Sequence, residues 1–221
     1  MWGEDTKKPM LDTNKLYLFI SAALLLNITP GADMLYVIAR SLSNGLKGGI
    51  VSSLGVAVGC LFHILLAVIG LSALISSSNL AFEIIKYLGT SYLIFLGLKL
   101  LIQKNEKLNF TQKNVNESKN LTSIFRQGII TNVLNPKVVL FFLAFLPQFV
   151  NKELPHVNLQ LLFLGCFFTT SGTIVNIIVA SIIGSISKRL KDYPKLWLLQ
   201  EKISGILIIS IGLKLAFMNR K

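Results

Sequence analysis

The sequence has few charged residues and few of the residues that build catalytic or disulfide-stabilised proteins. Charged residues make up 14% of its 221 residues and hydrophobic residues 52%, whereas a soluble domain carries about 25% charge. Two cysteines and two histidines are too few for a disulfide framework. The motifs of serine hydrolases, zinc proteases and P-loop nucleotide-binding proteins are absent, as are paired cysteine ligands. The sequence therefore predicts neither an enzyme nor a bound cofactor or metal.

Acidic residues are also scarce, with 10 Asp and Glu against 22 Lys and Arg, which gives a net charge of +12. Such an excess can indicate nucleic-acid binding. Here, however, the basic residues lie between long apolar blocks, as they do in membrane proteins that face anionic lipid. We therefore predict an all-α polytopic membrane protein that contacts lipid and not nucleic acid.

Six apolar blocks are long enough to cross a bilayer as helices, which takes about 20 residues each. They lie at residues 15–42, 48–74, 80–103, 125–150, 159–187 and 196–217. The first block also has the length of a signal-peptide core, but no clear cleavage site follows it, so we read it as the first span.

The spans divide into two sets of three. A polar tail, 1–14, precedes the first repeat, 15–103, and a polar linker, 104–123, separates it from the second repeat, 124–221. The two repeats share short sequence motifs that are separated by 106 positions (136 − 30 for the proline pair). The matching residues are Pro30, Gly59 and Cys60 in the first half and Pro136, Gly165 and Cys166 in the second. Because three spans reverse the direction of the chain, we predict two inverted three-helix repeats, an architecture of small transporters.

A proline interrupts the first span of each half, at Pro30 and Pro136. Proline lacks an N–H group and clashes with the carbonyl four residues earlier, which is that of Leu26 in the first half. Thr29 and Asn135 directly precede the prolines, so we predict that each helix restarts with one of them as N-cap. Freed backbone groups inside a bilayer must be buried or line a cavity, and the restarted helices direct positive dipole ends toward it. The alternative is that each proline only kinks a helix for packing.

Two charges lie beside these breaks. Asp33 follows Pro30 by three residues, and an intramembrane carboxylate is a functional hypothesis by default because it is costly. We predict that Asp33 holds a substrate ammonium or a coupling proton; a structural ion pair, or a carboxylate satisfied by helix N–H groups, is the alternative. Lys137 follows Pro136 and is the natural counter-charge of Asp33, unless the lysine side chain snorkels to an interface. Gly31 occupies the matching place in the first half.

Other polar residues lie within the apolar spans. Asn27 and Asn132 each lie about one turn before a proline, where their amides either satisfy carbonyls exposed by the break or contact a ligand. His63 lies inside the second span and can exchange protons near neutral pH, although a lone histidine there is more often a hydrogen-bonded structural residue. Gly55 and Gly59 form a G-x-x-x-G pair, which predicts close helix packing. The distribution of Lys and Arg favours both termini outside the cytoplasm.

Several short sequence motifs, taken in order along the chain, resemble those of the LysE/RhtB family of bacterial amino-acid exporters. They are ITPGADM at 28–34, RSL at 40–42, glycines at 45, 48 and 49, FRQG at 125–128, NVLNPK at 132–137 and FLAFLPQFV at 142–150. The resemblance covers nearly the whole chain from Leu16 onward. It implies a multi-pass protein of the bacterial cytoplasmic (inner) membrane that exports amino acids, either homoserine- and threonine-like or basic, by proton antiport. An amino acid, protons and lipid are then its partners, and a homo-oligomer is compatible with it.

The sequence departs from that family's pattern at two positions: Ala32 stands where a proline is common, and Cys60 where an acidic residue is common. Two other functions stay open. A membrane thiol-redox carrier would use Cys60 and Cys166, although thiol transporters of the broader superfamily carry their cysteines in the proline-broken spans. The other is a non-transporting membrane assembly protein.

Overall fold

A computed structural model describes residues 13–71, 79–102, 120–151 and 156–186, and six helical positions between 202 and 213. All regular structure in these residues is helical, which confirms the predicted all-α class. Ala32–Gly70 and Val157–Gly184 are each long and apolar enough to cross a membrane, and a bent pair, Leu121–Val133 with Pro136–Phe149, forms a third candidate span. The six-span inverted repeat stays a prediction, because much of the sixth block lies outside the described residues.

The first predicted span is broken where the proline lies. Helix α1 covers Thr13–Ile28, and helix α2 covers Ala32–Leu66 before a π-helical turn at Ala67–Leu71. The sequence predicts a loop between the first and second spans, but only Gly45 leaves helical geometry there, with φ of 66° and ψ of −169°. The two spans are therefore joined by a single glycine.

Helix α2 folds back on itself at Gly45. Its 35 residues would extend roughly 50 Å as one straight helix, well beyond the about 30 Å of a bilayer core. Asp33 and His63 lie near opposite ends of α2, yet both hydrogen-bond to Asn132. A Cβ added at Gly49 would also collide with Ser41 across the turn. The two arms of α2 therefore lie side by side. The arm before Gly45 completes the first span, and the arm after Gly45 forms the second.

The remaining helices follow the other predicted blocks. Helix α3 covers Asn79–Ile102, and helix α6 covers Val157–Ile186. Helix α4, Leu121–Val133, begins inside the predicted linker because the side chain of Asn120 accepts a hydrogen bond from the Thr122 amide at 3.0 Å.

The break in the fourth predicted span lies at its proline. Helix α5, Pro136–Leu140, follows α4, and a π-helical turn at Phe141–Phe145 and a 3₁₀ turn at Leu146–Phe149 continue it. The axis bends by 46° at the break. The predicted break at Pro136 is therefore confirmed.

Aromatic packing and close helix contact hold these elements together. The rings of Phe141 and Phe168 stack with centroids 3.8 Å apart, and Phe19 of α1 packs edge-on against Phe149 at 5.3 Å. Gly55 and Gly128 bring the backbones of α2 and α4 together, since a Cβ at Gly128 would lie 3.1 Å from the Gly55 Cα. The predicted packing role of the G-x-x-x-G pair is confirmed, and this contact brings the arm of α2 that follows Gly45 against α4.

Candidate functional site

The two helix breaks face each other, and a residue after each break contacts a residue before the other. The Asn132 Nδ2 donates to Asp33 Oδ2 at 2.9 Å. The Lys137 Nζ donates to the carbonyls of Leu26 and Thr29, both at 3.0 Å. The halves of the chain are thus joined crosswise at the breaks.

Lys137 fills the space that the first break opens. The Leu26 carbonyl is the one that Pro30 is predicted to free, and Lys137 satisfies it. The ammonium also lies at the end of α1, where the helix dipole is negative. A Cβ added at Gly31 would lie 3.1 Å from Nζ, so the glycine leaves the room that the lysine uses. The snorkelling alternative is wrong, and the direct partners of Lys137 are backbone carbonyls rather than Asp33.

At the second break, the Asn132 carbonyl accepts a hydrogen bond from the Asn135 amide at 2.9 Å and also contacts His63. Pro136 leaves the Asn132 carbonyl without its ordinary helical donor four residues later. The His63 Nε2 lies 3.2 Å from that carbonyl oxygen, and the imidazole stacks on Phe142 with centroids 5.8 Å apart. His63 is buried and is not among the residues that line the cavity described below. This geometry gives His63 a structural position beside the site.

The two predicted N-caps have different outcomes. Asn135 caps α5, because its Oδ1 accepts from the Lys137 amide at 3.0 Å and Pro136 lies in the first turn. Thr29 as N-cap is wrong: Gly31 is the N-cap of α2, without a side-chain hydrogen bond. The Thr29 hydroxyl instead donates to the Leu25 carbonyl at 2.7 Å, because a threonine at a helix end readily bonds the carbonyl four residues back.

Three buried polar atoms near the breaks have no hydrogen-bond partner within the described residues. They are Asp33 Oδ1, Asn132 Oδ1 and Asn135 Nδ2. Asp33 is 8% exposed and the two asparagines are 2% exposed. Since buried polar groups are nearly always hydrogen-bonded, these atoms indicate a place for a polar ligand or for water.

A small cavity of about 30 Å³ lies at this place. Its lining comes from α1, α2, α4, α5 and α6: Asn27, Asp33, Met34, Val56, Ala57, Cys60, Asn132, Lys137, Val138, Phe168, Thr169, Gly172, Thr173 and Asn176. A cavity needs a volume of about 10–15 Å³ to hold one water molecule. The cavity thus admits water, and an amino acid fits only if the helices around it move apart.

Asn27 connects the first break to α6. Its Nδ2 donates to the Phe168 carbonyl and to the Ser171 hydroxyl, both at 3.0 Å. The amide therefore does not satisfy a carbonyl that Pro30 frees, although Asn27 lines the cavity. It anchors the end of α1 against α6.

Sequence reasoning did not assign a role to the face of α6 that closes the cavity. Thr169, Thr173 and Asn176 line it at helical spacing, a polar stripe in an otherwise apolar helix that could have signalled the site. The Thr169 hydroxyl lies 3.1 Å from the sulfur of Cys60. Cys60 is buried at the cavity, whereas Cys166 is exposed, and both are free thiols.

A second polar contact joins α2 and α4 about two turns from Asp33. The Arg40 guanidinium donates to Gln127 Oε1 and lies 5.4 Å from the ring centroid of Tyr36. The Tyr36 hydroxyl donates to the Ile124 carbonyl at 2.7 Å. The sequence motifs RSL and FRQG are far apart in the chain but are in contact in the structure.

Comparisons with known proteins agree on one family. The family model described as LysE type translocator matches residues 24–219. The chain is 34% identical to the membrane protein YrhP of Bacillus subtilis, over 91% of this chain and 98% of that protein. It is 27% identical to a membrane protein of Vibrio cholerae, over 93% and 98%. It is 30% identical to a leucine efflux protein of Salmonella choleraesuis, over 66% and 68%. No solved structure matches.

Proposed function

Because the chain belongs to the LysE type translocator family, a family of transporters, we propose that it exports amino acids or close derivatives by proton antiport. It is a multi-pass protein of the bacterial inner membrane: its relatives from Bacillus subtilis and Vibrio cholerae are membrane proteins, and the described helices are apolar enough for that location. The Salmonella relative that carries the name leucine efflux protein supports an amino-acid substrate. The absence of nucleotide-binding motifs favours an ion gradient as the energy source.

The observation that carries the proposal is the pair of facing helix breaks around a cavity with free polar atoms. A free amino acid brings an ammonium and a carboxylate into the membrane, and both charges need partners there. Asp33 Oδ1 and Asn132 Oδ1 are unused acceptors, which suit the ammonium. Lys137 is the donor for the carboxylate.

The remaining predicted site residues shape this arrangement in the proposal. Thr29, Pro30 and Gly31 form the break that receives the Lys137 ammonium. Pro136 lies between α4 and α5, so that Asn132 and Lys137 line the cavity and Asn135 caps α5. Asn27 and His63 hold the two breaks in place.

Transport would follow from a rearrangement of the two halves around the fixed site. Widening of the cavity admits the amino acid on one side, and the crosswise hydrogen bonds at the breaks exchange for bonds to substrate. Asp33 carries a proton when the ammonium is absent, which couples the return step to the proton gradient.

The test is export by cells and transport by membranes. Overexpression in bacterial cells should lower the intracellular level of at least one amino acid and raise its extracellular level. Inverted membrane vesicles should then take up that amino acid when a proton gradient is imposed, and a protonophore should abolish the uptake. Unchanged amino-acid levels and no uptake of any amino acid would contradict the proposal.

The thiol-redox alternative makes a different prediction. A redox relay needs both thiols, so Cys166→Ala would abolish it. Under amino-acid export, Cys166→Ala leaves vesicle uptake unchanged, because Cys166 is exposed and does not line the cavity. Loss of uptake in folded Cys166→Ala would favour the redox alternative.

A further inference from the structure

We propose that Asn176 of α6 accepts the third hydrogen bond of the substrate ammonium, and that the site therefore prefers primary amino acids over their N-methyl derivatives. The inference rests on the proposed amino-acid export, and it adds a binding residue and a restriction on the substrate to it.

A primary ammonium has three N–H donors, and each donor that leaves water for a buried site needs a new acceptor. Asp33 Oδ1 and Asn132 Oδ1 supply two acceptors. These two side chains are bonded to each other at 2.9 Å, through Asn132 Nδ2 and Asp33 Oδ2, so they lie on the same side of the cavity. Because the three N–H bonds of an ammonium point in different directions, the third acceptor has to come from another wall.

Helix α6 forms a wall of the cavity at the level of Asp33. Val175 and Val179 of α6 pack against the buried cluster that contains Met34 of α2. Asn176 directly follows Val175, as Met34 directly follows Asp33. Asn176 and Asp33 both line the cavity of about 30 Å³, which has room for only about two or three water molecules. Their side chains therefore approach one small space from two helices.

The other polar side chains that α1 and α6 contribute to the lining are engaged elsewhere. Asn27 Oδ1 lies against α6, 2.9 Å from the position that a Cβ at Gly172 would take. The Thr169 hydroxyl contacts a cysteine sulfur of α2 at 3.1 Å. The Thr173 hydroxyl donates to the Thr169 carbonyl at 2.7 Å and so points along its own helix. Asn176 is the acceptor that remains on these two helices.

The Asn176 amide has the properties of a group that waits for a ligand. The residue is 7% exposed, and its side chain forms no hydrogen bond within the described residues. Buried amides nearly always have a partner, and the oxygen of an amide accepts from an ammonium. A bound substrate would thus join α2, α4 and α6 through its ammonium, and removal of one N–H would break the bond to α6.

The restriction on the substrate is tested on the wild-type protein. Inverted vesicles take up radiolabelled leucine, or the primary amino acid that they take up best, under an imposed proton gradient. The same amino acid and its N-methyl derivative, both unlabelled, then compete for uptake. We expect the derivative to compete at least about tenfold more weakly, because it lacks one hydrogen bond of a charged group. Competition within tenfold would overturn the inference while leaving amino-acid export intact, whereas uptake of no amino acid would contradict the proposed function.

The role of Asn176 is tested by a substitution that keeps the size of the side chain and removes the acceptor. Asn176→Leu should weaken competition by the primary amino acid by about tenfold and leave that by the N-methyl derivative unchanged, so the discrimination is lost. Asn176→Ala serves if the leucine variant does not fold. Thr173→Val removes only a hydroxyl from the same face of α6 and should keep the discrimination. Retained discrimination in a folded Asn176 variant, or its loss in Thr173→Val, would overturn the role of Asn176.

Discussion

Each of the two carbonyls that lose a helical donor at a proline contacts a side chain from another helix. Lys137 of α5 bonds the Leu26 carbonyl, and His63 of α2 contacts the Asn132 carbonyl. An unsatisfied carbonyl in a bilayer costs several kcal/mol. Lys137 satisfies the Leu26 carbonyl, and the Asn135 amide satisfies the Asn132 carbonyl at 2.9 Å, with His63 as a further contact. At the same time, these contacts leave Asp33 Oδ1 and Asn132 Oδ1 free for a ligand.

A substitution at Gly31 tests whether the Lys137 ammonium depends on the space beside this glycine. In Gly31→Ala the new methyl would lie 3.1 Å from Nζ and 3.2 Å from Cε, so the ammonium has to move. We expect vesicle uptake to fall by about tenfold to a hundredfold, as for other small misplacements at a site. Gly70→Ala is the matched control, because a Cβ there meets nothing within 4 Å. Equal uptake by the two variants would contradict the described position of Lys137.

Lys137 itself stabilises the break. Lys137→Met keeps the length of the side chain but leaves the carbonyls of Leu26 and Thr29 without their donor. We expect the free energy of unfolding to fall by about 1–3 kcal/mol, seen as a lower midpoint of thermal unfolding in detergent. Lys99→Met, at an exposed position of α3, should leave the midpoint unchanged. A Lys137→Met midpoint equal to wild type would show that the carbonyls do not depend on the lysine.

At this scale the sequence predicted which backbone groups are freed but not what satisfies them. The clash of Pro30 with the Leu26 carbonyl follows from local geometry alone. Its partner, Lys137, lies 111 residues away along the chain, and only the packed structure brings it there. Thr29 was misassigned for a related reason, since its hydroxyl can bond forward as a cap or back to Leu25, and the local sequence does not decide between them.

Among the helices, α2 contributes most to the geometry of the site. Its two arms lie side by side because of one residue, Gly45. The first arm brings Asp33 to Asn132, and the second brings His63 to the same residue. The turn at Gly45 therefore assembles one side of the cavity.

Gly45 has a conformation that other residues adopt only with strain. Its φ of 66° and ψ of −169° lie in a region occupied almost only by glycine. Gly45→Ala should lower the free energy of unfolding by about 1–3 kcal/mol, measured by thermal unfolding in detergent. Ser43→Ala, at an exposed neighbouring position, should have no measurable effect. A Gly45→Ala protein as stable as wild type would contradict the turn.

The contact between Arg40 and Gln127 joins α2 to α4 at a distance from the cavity. Gln127→Ala removes the acceptor of a buried guanidinium hydrogen bond, and hydrogen bonds to charged groups contribute about 1.5–3 kcal/mol. We expect a loss of stability of that order, read as a lower unfolding midpoint. Ser123→Ala removes only a weak contact of Gln127, at 3.4 Å, and should change the midpoint far less. Equal midpoints would place the contact outside the determinants of stability.

The sequence predicted the helices from their apolar blocks, and it missed details of how they end. Polar and glycine residues between 42 and 48 suggested a loop, whereas helical geometry persists on both sides of Gly45. A single positive φ is enough to reverse the chain, and composition does not distinguish it from a longer loop. Asn120 likewise starts α4 earlier than the apolar block suggests, because a cap residue is polar and lies outside the hydrophobic pattern.

For the molecule as a whole, the repeat and its exceptions explain the site. The matched prolines give two breaks, and the crosswise hydrogen bonds bring them together. The unmatched residues, Asp33 in one half and Lys137 in the other, give the shared cavity its two opposite charges. The sequence showed the repeat and the unmatched charges, but the apposition of the breaks depends on packing such as the Gly55–Gly128 contact.

A comparison of vesicle uptake by three proteins tests whether the cavity binds the transported amino acid through Asp33. Inverted vesicles carrying wild type, Asp33→Asn or Glu83→Gln are given the same imposed proton gradient, and uptake of the exported amino acid is measured at matched protein levels. Glu83 is the control because it lies in α3 and does not line the cavity. We expect Glu83→Gln to retain uptake and Asp33→Asn, although folded, to lose it. Uptake by Asp33→Asn at the wild-type rate would show that Asp33 does not bind the transported amino acid.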